Sequence, residues 1–138
     1  MDAKVIWKGN MSFEGTPSSG FPIWMDTSTE NGGLNNGIRP MEMVLVGLGG
    51  CTAMDVVSIL KKKRQEVTAF EIRVHADRSQ EHPKVFTDIT LEYVVTGHNI
   101  EPVAVERAIE LSETKYCSVS AMLGKSAKIN TKYTIVEA

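Results

Sequence analysis

The sequence predicts an α+β domain, and three observations carry that expectation. Residues 41–60 form one apolar run long enough for a deep helix. Residues 68–79 and 85–96 alternate apolar and polar side chains. Residues 102–115 carry a second helical pattern, followed by a last strand-like run at 127–136. The chain of 138 residues suits a single domain able to bury a core.

The elements follow in order. Residues 4–8 and 11–14 flank Gly9-Asn10, a pair suited to a two-residue hairpin turn. A third short strand is expected at 21–26. Residues 27–39 (TSTENGGLNNGIR) collect Asn, Gly, Ser and Thr, the composition of a mobile loop. Pro40 suits the first turn of a helix, where its missing N–H has no partner to lose. Glu42 falls in that first turn and complements its positive end. The run closes on Lys61-Lys62-Lys63-Arg64, cations that favour the opposite end. A helix apolar nearly all round implies burial on more than one side. One small sheet covers one side, and a second subunit can cover the rest.

The alternating runs make an antiparallel hairpin. Phe70, Ile72, Val74 and Ala76 share one face; Glu71, Arg73, His75 and Asp77 share the other. Ile89, Leu91, Tyr93 and Val95 form the matching apolar face, and residues 81–84 supply the turn. Pro102 starts the second helix, with Val105, Ala108, Ile109 and Leu111 or Ser112 inward. Residues 117–123 make a further helical turn, with Gly124 as its stop.

Composition excludes some functions. A net charge of −2 gives no electrostatic reason for nucleic-acid binding. The first fifteen residues hold no apolar secretory segment. The 41–60 run has the length of a membrane span but contains Glu42, Asp55 and three glycines, so a core helix and a cytoplasmic protein are expected. His75, His82 and His98 lack metal-ligand spacing, so no metal site is expected.

The chemistry-bearing residues are the only two cysteines, Cys51 and Cys117. Folding can bring such a pair together for thiol–disulfide chemistry. Both also fit as small buried hydrophobes. Gly47, Gly49 and Gly50 precede Cys51. Each costs about 1 kcal/mol against alanine in a helix. Either a close helix contact or a substrate reaching the sulfur explains them. Asp55 lies one turn beyond Cys51. An anion there opposes a thiolate, so Asp55 is read as structural or as the partner of a cation. Cys117 opens a helical turn whose free N–H groups favour a thiolate.

Two blocks carry a family resemblance. Residues 39–63 (RPMEMVLVGLGGCTAMDVVSILKKK) resemble the central helix of the OsmC/Ohr family, with its Pro, Glu, small residues and Cys. Residues 116–123 (YCSVSAML) resemble its second cysteine motif. The resemblance implies an OsmC-like α+β fold: antiparallel sheets around a long buried central helix, intertwined as a homodimer. It implies a thiol-dependent peroxidase that reduces organic hydroperoxides, reset by an external dithiol reductant, with no bound cofactor. Cys51 is then the peroxidatic cysteine, Cys117 the resolving cysteine and Glu42 the active-site carboxylate. Arg39 is the first candidate for the activating cation, ahead of Arg64, Arg73, Arg78 and Arg107. Glu42 and Cys51 lie nine residues apart, on opposite sides of a straight helix and about 13 Å apart along its axis. A carboxylate donated across a dimer interface would meet Cys51 more easily. The alternative from another class is a non-catalytic dimeric protein that binds a small apolar ligand over Cys51.

Overall fold

A computed structural model describes residues 1–138. The chain divides into two compact units, Met1–Val44 and Leu45–Ala138. The long helix α1 (Pro40–Lys62) begins in the first and continues in the second.

The first unit is a three-stranded antiparallel sheet of β1 (Ala3–Trp7), β2 (Phe13–Pro17) and β3 (Ile23–Met25), in that order. Trp7 pairs with Phe13, and Phe13 with Met25. The β1–β2 turn runs through left-handed Gly9 and Asn10, with φ of 101° and 50°. Those are residues that tolerate this region. All five residues of β1 are exposed. The connection to α1 is pinned rather than loose. Buried Asp26 accepts the backbone N–H groups of Thr27 (2.7 Å), Leu34 (3.0 Å) and Asn36 (3.4 Å). Those bonds hold its carboxyl below the usual carboxylate value, against burial, which acts the other way. Gly33 has no room for a side chain, because a Cβ would collide with the Thr27 carbonyl.

The second unit is a three-stranded sheet packed on helices. β4 (Glu66–Arg78) and β5 (Phe86–His98) form the expected antiparallel hairpin. β6 (Lys128–Glu137) lies on the other side of β5 and runs parallel to it, not antiparallel as expected. The reason is the connection. α2 (Pro102–Leu111), a π-helical turn (Ser112–Tyr116) and α3 (Ser118–Leu123) carry the chain back to the end where β5 began. Such a crossover is what parallel pairing requires.

The alternation has the expected outcome. Ile89, Leu91, Tyr93 and Val95 are fully buried. Leu48, Val56 and Leu60 of α1 and Ala104, Val105, Ala108 and Ile109 of α2 are buried as well and complete the apolar core of this unit. Phe70 of β4 stacks edge-on to Tyr93, with ring centres 6.4 Å apart. Gly124 ends α3 with φ of −64°, so it stops the helix without the left-handed turn expected of glycine.

α1 departs from full burial. In the single chain only Leu48, Gly49, Thr52, Val56 and Leu60 are buried. Val46 and Met54 are 64% and 77% exposed. The helix is long and apolar enough to cross a membrane by length and composition alone. Of the three glycines, only Gly49 sits against a neighbour: a Cβ there would lie 3.3 Å from Val74 Cγ2 of β4. Gly47 and Gly50 face open space.

Candidate functional site: a thiol pair and a buried hydroxyl chain

Cys51 stands on α1 one residue before buried Thr52 and is itself half-buried. Cys117 ends the π-helical turn and caps α3. Its extended backbone (φ −76°, ψ 102°) stops one helix and starts the next. Its sulfur accepts the Ser120 N–H at 3.4 Å, the bond a capping side chain makes. Both cysteines are free, and Cys51 is close enough to bear on the titration of Cys117.

The electrostatics of the pair are asymmetric. Cys117 is 3% exposed. Burial, the largest influence, pushes its thiol up to about 11; Ser120 N–H opposes this, while contact with Cys51 and the Asp55 charge add to it. The capping geometry expected from the sequence is present. It is outweighed, because one weak N–H···S bond does not replace the hydration that a buried thiolate loses.

Beside the thiols runs a chain of hydroxyl groups. Tyr93 OH lies 2.7 Å from Thr52 Oγ1, which lies 2.8 Å from Ser112 Oγ. Ser112 Oγ donates to Asp55 Oδ2 at 2.9 Å. Each hydroxyl has one proton. Ser112 gives its proton to Asp55, so Thr52 donates to Ser112 and Tyr93 donates to Thr52. Tyr93, Thr52 and Ser112 are all essentially inaccessible. Burial, with the nearby charges of Glu113, Cys117 and Asp55, raises the Tyr93 phenol to about 12 despite the Thr52 bond. The partner of Asp55 is thus a neutral hydroxyl rather than a cation. Sequence reasoning did not find Thr52 or Tyr93 as polar partners. Their signals were an inward tyrosine on β5 and a threonine on the buried face of α1.

The other expected site residues lie in the first unit. Arg39 is the residue before α1, and Glu42 sits three residues on. Glu42 Oε1 accepts the Arg39 backbone N–H at 2.8 Å, half of a capping box. The Arg39 guanidinium donates to the Gly37 carbonyl (3.0 Å) and to Asn35 Oδ1. In the second unit, Arg73 pairs with Glu71 at 2.7 Å, Arg107 with Glu110 at 3.1 Å, and Arg78 donates to the Lys84 carbonyl at 2.9 Å. No cluster of three or more His, Cys, Asp or Glu side chains is arranged to hold a metal.

A central helix carrying one cysteine, and a helix-capping cysteine brought against it, define a two-thiol α+β domain. The pattern of the OsmC-like protein family matches residues 32–132. The chain belongs to that family. It is 45% identical to protein YhfA of Escherichia coli K12 over 138 residues, all of both chains. It resembles the crystal structure of a hypothetical protein from Aquifex aeolicus VF5 at 34% identity and TM-score 0.87, covering 99% of this chain and 96% of that one. The fold is shared with an organic hydroperoxide resistance protein OsmC from Legionella pneumophila, at 13% identity and TM-score 0.73, over 96% and 95% of the two chains.

Proposed function

We propose that the protein is a thiol-dependent peroxidase acting on organic hydroperoxides. The observation that carries the reading is that the helix bearing the half-buried thiol Cys51 is tied, through Ser112 bonded to Thr52 and Asp55, to the turn that ends in the buried thiol Cys117. The Cys51 thiolate attacks the distal peroxide oxygen. The O–O bond breaks, the alkoxide leaves and is protonated to an alcohol, and Cys51 becomes a sulfenic acid. Cys117 then attacks that sulfur. An S–S bond forms, the S–O bond breaks, and the departing hydroxyl takes the Cys117 proton to leave as water. An external dithiol exchanges with the disulfide and restores both thiols.

Glu42 is the active-site carboxylate in this reading and Arg39 the activating cation. The enzyme is a cytoplasmic homodimer. Exposed Val46 and Met54 on α1 support the dimer. So does an open groove of about 610 Å³ whose walls include Ala53, Met54 and Val57. A monomer leaves such surface in water.

The test is consumption of cumene hydroperoxide with dithiothreitol as reductant, for wild type, Cys51→Ser and Cys117→Ser. Wild type turns over and Cys51→Ser does not. With the peroxide alone and no dithiothreitol, Cys117→Ser reacts once and stops at the sulfenic acid, where wild type goes on to the disulfide. A wild type with no turnover, or a Cys51→Ser variant that keeps it, overturns the proposal.

A further inference from the structure

Ser112 joins the two cysteine-bearing segments. Its hydroxyl bonds to Thr52, the residue after Cys51, at 2.8 Å, and to Asp55, one turn further along the same helix, at 2.9 Å. Its carbonyl accepts the Cys117 N–H at 2.8 Å. Its own N–H closes the end of α2 on the Ala108 and Ile109 carbonyls. The contacts form a continuous path from Cys51 through its neighbour Thr52 and Ser112 to Cys117. Ser112 is the first residue of the π-helical turn. Such turns are uncommon and are frequently found at functional sites. Here the wider turn lets one residue face α1 with its hydroxyl and hold Cys117 with its carbonyl.

We propose that Ser112, oriented by Asp55, is a positioning residue that sets Cys117 at bonding distance from Cys51 and so controls closure of the disulfide. This rests on the peroxidase reading only for its place in the cycle, because thiol pairing itself needs no peroxide. A disulfide demands Cα atoms roughly 4.4–6.8 Å apart and a narrow dihedral range. A hydroxyl bonded to α1 on two sides fixes the register of the π-helical turn against that helix. Without it, the turn that carries Cys117 is held to α1 only by apolar packing, which is less directional.

Three variants test the assignment. Ser112→Ala removes the hydroxyl and keeps the carbonyl. Ser112→Thr restores a hydroxyl, and Asp55→Asn keeps an acceptor oxygen but removes the charge. The first readout uses diamide, which takes two electrons and two protons from the thiol pair and leaves it a disulfide. Closure is followed by loss of free thiol and by mass. Ser112→Ala closes more slowly by about ten- to a hundredfold, the scale of a misplacement near 1 Å. Ser112→Thr recovers most of that rate, and Asp55→Asn falls between. The second readout is one equivalent of cumene hydroperoxide in rapid mixing. In Ser112→Ala the Cys51 sulfenic acid, trapped with dimedone, persists longer than in wild type and proceeds further to the sulfinic acid under excess peroxide.

A Ser112→Ala protein that closes with diamide at the wild-type rate overturns the proposal. So does one in which sulfenic acid formation and closure slow by the same factor, since that is general loosening of the fold. Failure of Ser112→Thr to recover closure while its circular dichroism and melting match wild type also overturns it. A wild type inert to cumene hydroperoxide, whose diamide closure still depends on Ser112, overturns the peroxidase reading and supports the positioning role.

Discussion

Cys51→Ser leaves Cys117 as the only thiol in the chain, so its titration can be followed alone. Four influences set its value, and the substitution removes one of them. Burial, the largest, remains; the Ser120 N–H, which pulls down, and the Asp55 charge, which pushes up, remain; the Cys51 contribution goes. The variant thiol therefore titrates above the ordinary value of about 8.5 and no higher than the wild-type value of about 11. At pH 8 a thiol with a pKa near 11 is about 0.1% thiolate, and an ordinary one about a quarter. Alkylation at that limit is about two hundredfold slower in the native state than in the unfolded chain, and with the Cys51 contribution removed the native variant is still slower than its unfolded chain. The assay is the iodoacetamide rate between pH 7 and 11, on native and urea-unfolded Cys51→Ser. The same shift has a stability consequence. The folded value is raised, so the contribution is complete below the unfolded value and is lost as pH rises through about 8.5 to 11. In wild type that loss is about 3 kcal/mol, read by denaturant titration at pH 8 and above 10.5. Native Cys117 alkylating as fast as the unfolded chain, with a midpoint near 8.5, would refute the claim that burial governs this thiol.

Three further outcomes are expected. Thr52→Val keeps the shape but leaves the Tyr93 hydroxyl without its acceptor inside the core, and should lower stability by about 2–3 kcal/mol, measured by urea unfolding. Gly97→Ala places a Cβ against the Glu66 carbonyl and within 2.8 Å of Ile100 Cδ1. It should cost about 2–4 kcal/mol by loosening the β4–β5 edge, seen as faster amide exchange there. Met54→Arg puts a charge on the exposed face of α1; light scattering should find a dimer for wild type and a monomer for the variant, with the single-chain fold retained by circular dichroism.

Much of the fold was legible because it is written in period. The strict alternation of Phe70 to Ala76 and of Ile89 to Val95 survives in the burial of β4 and β5. Pro40 and Pro102 mark true helix starts, since neither ring fits a helix interior. Cys117 is placed at a helix start because the Ser-Val-Ser run after it supplies the free N–H groups that a cap needs. The direction of β6 was not legible. Period sets which faces are buried; it does not say at which end a crossover returns the chain.

The candidate site divides along the same line. The sequence by itself determined which atoms can do redox chemistry, since only two residues carry a thiol, and which helices hold them. Only the tertiary structure decided that Cys117 is buried, that burial pushes its thiol up, and that Ser112 ties its turn to α1. Cys51 and Cys117 are 66 residues apart, and Thr52 and Ser112 are 60 apart. Contacts at such separations depend on how whole elements pack. A thiol's proton affinity depends on the water that packing removes.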